Sequence, residues 1–291
     1  MLCSIYIKTH YNGAGVSKFV LAHCERMEAR MKLSISNIAW DKEYDKEMYE
    51  FLHQLKFDGI ELAPTRLFID PYDTPLIADK FKRMLSESYS LQICSIQSIW
   101  YNRKEKLFGS DEERQKLKEY TMKAIIFAEH LGANNIVFGS PRNRVISNAD
   151  NFKQAILFFK ELGNYACKHH TVLSIEANPK IYNTNFINTT EEATALVNLV
   201  NSEGFKVNLD LGTIIENNED LHSIDFKLVN HIHISEPYLK EIVWSEMHEQ
   251  LKCILKIEDY KNYVSIEMEN LKNINLIKKI LLQFKCLFQE E

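Results

Sequence analysis

The chain has 291 residues, of which 45% are hydrophobic and 26% are charged. This composition is typical of a globular protein with one or two domains, and it excludes a disordered or fibrous chain. The 40 acidic residues exceed the 35 basic residues without a long run of one sign, so the sequence does not predict a surface that binds nucleic acid.

Residues 1–30 lack the apolar core and the small-residue cleavage site of a secretory signal. A regular pattern begins only at Met31, with "MKLSISNIAW". We therefore interpret residues 1–30 as an N-terminal extension, either genuine or the result of a start codon assigned too early, and residues 31–291 as the folded domain. No apolar run reaches the roughly 18 residues of a membrane span, and six scattered cysteines without a C-x-x-C pair favour a reducing cytoplasm.

From Met31 onward, short runs typical of β-strands alternate with long amphipathic runs typical of helices. Strands are predicted at 32–40, 59–64, 92–100, 134–141, 171–179, 206–212, 229–237 and 263–270. One predicted helix between them ends near Gly132, and another opens with a capping box from Thr189 to Glu192. Eight such units without a Pro/Gly/Ser-rich linker predict a single (β/α)8 TIM barrel, with a doubly wound α/β sheet as the alternative.

Catalytic groups in such barrels come from the C-terminal ends of the strands and the loops that follow them. Four predicted strands, the fifth to the eighth, end in residue types that bind metals: Glu176, Asp210, His233 and Glu267. Each of these four residues is separated from the next by about one β-α unit of sequence, so consecutive strands would each direct one ligand toward a shared point. Three oxygens and one imidazole suit a single Mn, Mg, Co or Fe ion better than a metal that prefers thiolates.

Two other interpretations of these residues remain at this point. The carboxylates could belong to a salt-bridge network, although a cation is the simplest compensation for carboxylates among Ile, Val and Ser. His231 lies two residues before His233 and deeper in the same strand. We expect it to support the metal site through hydrogen bonds and not to coordinate the ion.

The predicted mouth of the barrel also carries residues suited to contact a substrate. Loop arginines such as Arg66, Arg103, Arg142 and Arg144 could bind phosphate or carboxylate, although loop arginines are more often solvated. The aromatic and amide side chains that end the first and third strands, Trp40, Gln97, Trp100 and Tyr101, could line a sugar pocket or merely plug the barrel.

The ordered set of four ligands resembles that of the xylose-isomerase-like TIM barrel family, which includes sugar phosphate isomerases, ketose 3-epimerases, hydroxypyruvate isomerase and the endonuclease IV type of DNA-repair enzyme. The resemblance covers about residues 31 to 290, and "SNIAW" near the start and "NTNFINT" at 183–189 add to it. It implies a divalent-metal-dependent isomerase or epimerase of a sugar or sugar phosphate.

The sequence departs from parts of this family at defined positions. Thr213 stands where ketose epimerases usually carry a histidine, and the fourth strand has no histidine, so the trinuclear zinc centre of the DNA-repair branch is not expected. Leu239 stands where family epimerases often place an arginine that holds substrate hydroxyls. Epimerisation of ketohexoses therefore stays open.

A divalent ion that chelates a carbonyl and a neighbouring hydroxyl stabilises an enediolate, so that a carboxylate beside it can remove the proton next to the carbonyl. The resemblance to the epimerases implies that Glu176 and Glu267 are the acid/base pair as well as ligands, while Asp210 and His233 serve mainly as ligands. Glu236 and His248 are further candidates for contacts with substrate hydroxyls.

Three classes of function follow from the sequence. The first is a sugar or sugar phosphate isomerase or epimerase, the second a lyase or dehydratase that acts on a polyol or keto acid, and the third a barrel that binds sugar without turnover. The expected partner is a small sugar or sugar phosphate, without nucleic acid or membrane, and a homo-oligomer is compatible with the sequence.

Overall fold

The computed structural model describes residues 31–148 and 150–289, so the predicted N-terminal extension at residues 1–30 lies outside the described residues. The strands β1 to β8 run Lys32–Ile35, Gly59–Leu62, Gln92–Ile96, Asn135–Phe138, Leu173–Glu176, Phe205–Asp210, Val229–Ile234 and Tyr263–Ile266. Each lies inside a predicted strand or begins one residue before it. All eight predicted strands are therefore confirmed, in shorter form.

The strands form one parallel sheet in the order β1-β8-β7-β6-β5-β4-β3-β2. A parallel bridge between Ser36 and Glu61, just beyond the end of β1, brings β1 and β2 together. A hydrogen bond from the amide of Asp58 to the carbonyl of Leu33 (3.0 Å) joins the same two strands near their start. The predicted single (β/α)8 barrel is thus confirmed, and the doubly wound alternative is wrong.

Helices surround the sheet at the positions expected for crossovers between parallel strands. The α-helices α1 to α9 run Asp45–Gln54, Pro64–Leu67, Leu76–Tyr89, Asp111–Leu131, Asp150–Lys168, Thr190–Val200, Leu211–Asn217, Glu246–Ile257 and Ile274–Gln289. Over the described residues, no helix combines the length and the apolar character needed to cross a membrane.

The helix ends show why the sequence signals were informative. Ser110 and Glu113 form a reciprocal capping box at the start of α4, and Gly132 ends this helix with a φ of 70°, which glycine adopts readily. At the start of α6, the Thr189 side chain accepts a hydrogen bond from the Glu192 amide, as predicted. The Glu192 carboxylate, however, accepts from the amide of Asn188 (2.5 Å).

The strands are shorter than predicted because the chain turns away from the sheet near a proline in several places. Pro141, Pro179 and Pro237 each follow a strand by three residues. Pro141 and Pro237 begin a short 3-10 helix, and Pro179 directly precedes one. Proline has no amide hydrogen to donate to a strand ladder, so it favours such an exit. These exits open the C-terminal end of the barrel, where the functional side chains lie.

Candidate metal centre

Four side chains from consecutive strands converge at the C-terminal end of the barrel. Glu176 and Asp210 are the last residues of β5 and β6, His233 is the second-last residue of β7, and Glu267 directly follows β8. The parallel register places Asp210 beside His233 and His233 beside Ser265, which precedes Glu267 by two residues. Residues two apart in a strand point to the same face, so this register directs all four side chains inward.

One ligand atom from each of these four residues lies within 4.8 Å of the others. His233 is at the centre, because its Nδ1 lies 3.0 Å from Glu176 Oε1 and 3.1 Å from Glu267 Oε2. His233, Glu176 and Glu267 are buried, and Asp210 is partly exposed. The sequence prediction that these four residues meet at one point agrees with this geometry.

The cluster fits a divalent ion by distance and by donor chemistry. Oxygen ligands bind Mg and Ca ions at about 2.0 to 2.6 Å, so two ligand atoms of one ion lie at most about 4 to 5 Å apart. The observed separations are within this limit. Three carboxylates and one imidazole also form a donor set that suits Mn, Mg, Co or Fe.

The electrostatics of the cluster favour a positive charge at its centre. Burial raises the pKa of Asp210 to about 6 and that of Glu267 to about 7. Burial alone would lower the pKa of His233, but the carboxylates of Glu61 and Glu267 raise it well above its usual value. A group of carboxylates that stabilises an imidazolium so strongly is equally suited to stabilise a bound cation.

Hydrogen bonds from neighbouring groups orient the carboxylates. Asp210 Oδ1 accepts from the amide of Thr213 (2.6 Å) at the start of α7, and its Oδ2 accepts from the hydroxyl of Ser235 (2.5 Å). Glu176 Oε1 accepts from the amide side chain of Asn208 (2.8 Å), and its Oε2 accepts from that of Asn178 (3.2 Å). Such support is typical of metal-binding carboxylates.

Sequence reasoning missed one residue of this region, Glu61 in β2. Its side chain is fully buried, and its Oε2 lies 3.1 Å from His233 Nε2 and 3.3 Å from His231 Nε2. Burial would raise the pKa of Glu61, but the two imidazoles outweigh it and hold the pKa below its usual range. The sequence feature that could have identified Glu61 is its lone carboxylate in the apolar strand "GIEL". His231 lies beside Glu61 and outside the group of four ligands, but Glu61, His231 and His233 form a second group that could hold a metal, so its supporting role stays a prediction.

A cavity of about 230 Å³ opens directly onto the cluster. Its lining comprises Ile38, Gln97, Ser98, Val137, Gly139, Ser140, Pro141, Glu176, Asn178, Tyr182, Asp210, Leu239 and Glu267. Pockets for drug-sized ligands usually measure about 300 to 1,000 Å³, so this one suits a smaller molecule. A depression of about 350 Å³ at the opposite end, lined by Lys32, His53 and Tyr263, lies where barrel enzymes do not place their chemistry.

Among the residues predicted to contact a substrate, Gln97 lines this cavity. Trp40 and Arg66 do not, because the indole nitrogen of Trp40 (2.9 Å) and Nη2 of Arg66 (2.7 Å) both donate to Asp45 at the start of α1. Trp100 is buried and donates to the hydroxyl of Thr121 in α4 (2.8 Å). Trp40 and Trp100 therefore belong to the packing between strands and helices, and neither lines this cavity.

The two arginines that follow β4 differ from each other. Arg144 is fully buried, and its Nη2 donates to the carbonyl of Glu176 (2.7 Å) and to Oδ1 of Asn178 (2.6 Å). Burial lowers the pKa of Arg144 to about 9. Arg142 is exposed and follows Pro141, which lines the cavity. Arg144 therefore braces the end of β5, and Arg142 lies at the rim of the cavity.

Glu236 and His248 also lie outside the cavity lining. The Glu236 carboxylate accepts from the amide of Val243 (3.1 Å), and burial raises its pKa. His248 is buried in the first turn of α8, where its Nδ1 accepts from the amide of Ser245 (3.2 Å) and burial lowers its pKa to about 4. The structure does not bring His248 to the site, because its ring caps the helix.

Comparisons with known proteins match the chain to one family model and to solved barrels. The family model described as xylose isomerase-like TIM barrel matches residues 49–282. A D-psicose 3-epimerase solved with D-fructose is 15% identical, with a TM-score of 0.72, over 90% of this chain and all (100%) of that one. A search of curated proteins found no match.

Two further solved structures have the same fold. The D-psicose 3-epimerase of Clostridium cellulolyticum H10, solved with D-tagatose, is 17% identical over 89% of this chain and 99% of that one, with a TM-score of 0.71. The 3-keto-D-glucoside 4-epimerase of E. coli is 16% identical over 88% of this chain and 100% of that one, with a TM-score of 0.69.

Proposed function

Since the chain belongs to the xylose isomerase-like TIM barrel family, we propose that it is a divalent-metal-dependent isomerase or epimerase of a sugar or sugar phosphate. The observation that carries this proposal is the cluster of Glu176, Asp210, His233 and Glu267 at the floor of a small cavity. The resemblance of the barrel to structures of D-psicose 3-epimerases and of a 3-keto-D-glucoside 4-epimerase supports a sugar as the substrate.

Glu176, Asp210, His233 and Glu267 would hold the ion, whose identity among Mn, Mg, Co and Fe stays open. A bound divalent ion would supply electrostatic stabilisation of the negative charge that develops on a substrate carbonyl and the neighbouring hydroxyl. The low-polarity surroundings of the buried ligands strengthen this effect.

Glu176 and Glu267 are the proposed acid/base pair. Both line the cavity, and each has one carboxylate oxygen within about 3 Å of His233 Nδ1, on which they converge from β5 and from the end of β8. One carboxylate would remove the proton from the carbon next to the carbonyl, and the other would return a proton.

Asp210 and His233 would serve as ligands only. Both oxygens of Asp210 already accept hydrogen bonds, from Thr213 and Ser235, which fix the carboxylate in one orientation. His233 is fully buried beneath the two glutamates, so it has no direct access to a substrate carbon.

Substrate contacts are proposed for two of the predicted residues. Gln97 lines the cavity, although its amide nitrogen already donates to Ser36 Oγ (2.7 Å) and Glu61 Oε1 (3.0 Å). Arg142 lies at the rim and is exposed, so it is the cation proposed to meet a phosphate group on the substrate.

Solvent exchange tests the proposed chemistry. Chelator-treated protein reloaded with Mn²⁺ is incubated in deuterated water with free ketoses, which include D-psicose, D-fructose and D-tagatose, and with ketose phosphates. We expect NMR to show deuterium on the carbon next to the carbonyl of a substrate and of its epimer. Loss of water from the substrate would instead indicate a dehydratase, and an isomerised product without deuterium would indicate a hydride shift.

Substitution of the two glutamates assigns their roles. Glu176→Gln and Glu267→Gln keep an oxygen donor but remove the basic carboxylate, so each should abolish complete epimerisation while Mn²⁺ still binds, with weaker affinity. Glu216→Gln, on the exposed side of α7, is the matched control and should react normally. Normal turnover by both site variants with Mn²⁺ bound would show that the acid/base assignment is wrong.

A further inference from the structure

Glu61 is a buried carboxylate that the proposed chemistry does not use. It is the third of the four residues of β2, and its side chain has no exposed surface. Burial of an unpaired carboxylate is very costly, so its contacts must compensate for lost hydration. Three groups do so: Oε2 lies 3.1 Å from His233 Nε2 and 3.3 Å from His231 Nε2, and Oε1 accepts from the amide side chain of Gln97 (3.0 Å).

The contact between Glu61 and His233 crosses the interior of the barrel. β2 and β7 are not neighbours in the sheet, since β1 and β8 lie between them. The four proposed ligands all come from β5 to β8 or the residue that follows β8. Glu61 therefore connects the strands that carry the ligands with the strands that carry none.

We propose that Glu61 is a positioning residue for His233, an inference that rests on the proposed metal site. An ionised carboxylate only accepts hydrogen bonds, so a nitrogen that bonds to it must carry the proton. Without an ion, both ring nitrogens of His233 face carboxylates and carry a proton. If an ion took the place of the proton on Nδ1, the contact with Glu61 would keep the remaining proton on Nε2. The lone pair of Nδ1 is then directed toward Glu176 and Glu267, where the ion would bind.

Glu61 is itself held in place from two neighbouring strands. The amide nitrogen of Gln97, just after β3, donates to Glu61 Oε1 and to the hydroxyl of Ser36 (2.7 Å), just after β1. The Gln97 oxygen accepts from the hydroxyl of Ser98 (3.1 Å). Ser36 also forms the β-bridge to Glu61. The carboxylate therefore has one preferred orientation, which a positioning role requires.

His231 makes a second ion the main competing interpretation. Its Nε2 lies 3.3 Å from the same oxygen of Glu61, and its ring stands at 88° to that of His233. Glu61, His231 and His233 therefore also form a group that could hold a metal. An ion there would bind His233 through Nε2, in place of the proton that Glu61 holds. Its presence would overturn the positioning role.

Titration of Mn²⁺ into chelator-treated protein by calorimetry tests the inference without any measurement of turnover. Glu61→Met removes the acceptor and keeps the side-chain length, and we expect it to lower the affinity for Mn²⁺ by about 10- to 100-fold. Glu61→Gln keeps one acceptor oxygen, so its loss should be smaller. Glu219→Met, at a part-buried carboxylate that accepts from the amide of Thr190, is the matched control and should keep wild-type affinity.

The histidine tautomer provides a readout that a purely structural role would not change. Nitrogen NMR of the wild-type protein with Mg²⁺ bound should show His233 protonated on Nε2, and Glu61→Gln should show a mixture of tautomers. A wild-type His233 protonated on Nδ1 would overturn the inference, even where Glu61→Met fails to fold.

The outcomes separate this inference from the proposed function. The positioning role would be overturned if folded Glu61→Met bound Mn²⁺ with wild-type affinity, or if the wild-type chain bound two Mn²⁺ ions. Either result would leave the proposed isomerase or epimerase function unaffected. Failure of the wild-type chain to bind Mn²⁺ would overturn the metal site itself, together with the inference.

Discussion

Gly139 offers a sharp test of the site, because an added methyl group there would press on a proposed catalytic carboxylate. It directly follows β4 and lines the cavity. A Cβ at this position would lie 3.0 Å from Glu176 Oε2 and 3.6 Å from Asn178 Oδ1. The φ of Gly139 lies outside the left-handed region, so the backbone accepts alanine.

The expected change in the free energy of unfolding follows from these distances. Ordinary contact between carbon and oxygen begins near 3.4 Å, so Glu176 must move by a few tenths of an ångström, away from its hydrogen bond with Asn178. Such crowding costs about 1 to 3 kcal/mol, and the loss of chain entropy in the unfolded state returns about 0.4 to 1 kcal/mol. We expect Gly139→Ala to lower the free energy of unfolding by at most about 2.6 kcal/mol.

The effect on metal binding is measured separately from the effect on folding. Displacement of one ligand should lower the affinity for Mn²⁺ about tenfold, which corresponds to about 1.4 kcal/mol. Calorimetry measures this affinity, and urea denaturation of the metal-free protein measures stability. Gly109→Ala is the matched control, because its Cβ would meet the carboxylate of Glu113 at the start of α4, which is not a proposed ligand. Unchanged Mn²⁺ affinity in Gly139→Ala would refute the reasoning.

The affinity for Mn²⁺ should rise at least about tenfold from pH 5 to pH 8, because the ion displaces protons from Asp210 and Glu267. The pKa values of these two carboxyl groups are raised to about 6 and about 7. Calorimetry at several pH values measures this change in affinity. These raised pKa values also mean that protonation stabilises the metal-free fold, so its urea midpoint should fall as the pH rises through this range. Arg142→Ala should raise the KM of ketose phosphates far more than that of free ketoses, whereas equal losses would assign Arg142 a structural role. A shortened chain that begins at Met31 should fold and bind Mn²⁺ like the full chain, since β1 begins at Lys32; aggregation, or melting at a clearly lower temperature, would count against this.

The sequence predicted the barrel because its main determinants are local. Alternation of short apolar runs with amphipathic helices identifies the strands, and parallel pairing then brings their C-terminal ends to one face. Glu176, Asp210 and His233 lie within or at the end of a strand, so position along the chain was enough to predict their convergence. Glu267 follows its strand by one residue and obeys the same rule.

Glu61 was missed because its role depends on contacts that are distant in the sequence. It lies inside a strand, and its partner His233 is 172 residues away. A lone buried carboxylate was visible in the sequence, but its partner follows only from which strands face each other across the barrel.

The mouth of the barrel could not be predicted from the sequence for a different reason. Side-chain directions there depend on loop backbone, and several non-glycine residues adopt a positive φ that sequence rules assign to glycine. Ser140 has a φ of 50° and turns the chain immediately before Arg142 and Arg144. This turn leaves one arginine at the rim and the other buried beneath it.

The most direct test of the central claim is anomalous diffraction from crystals of the full chain grown with Mn²⁺. We predict one Mn²⁺ peak per chain, about 2.0 to 2.6 Å from an oxygen of Glu176, Asp210 and Glu267 and from Nδ1 of His233. A peak between Glu61 and Nε2 of His233, or no peak among these side chains in crystals that contain Mn²⁺, would contradict it.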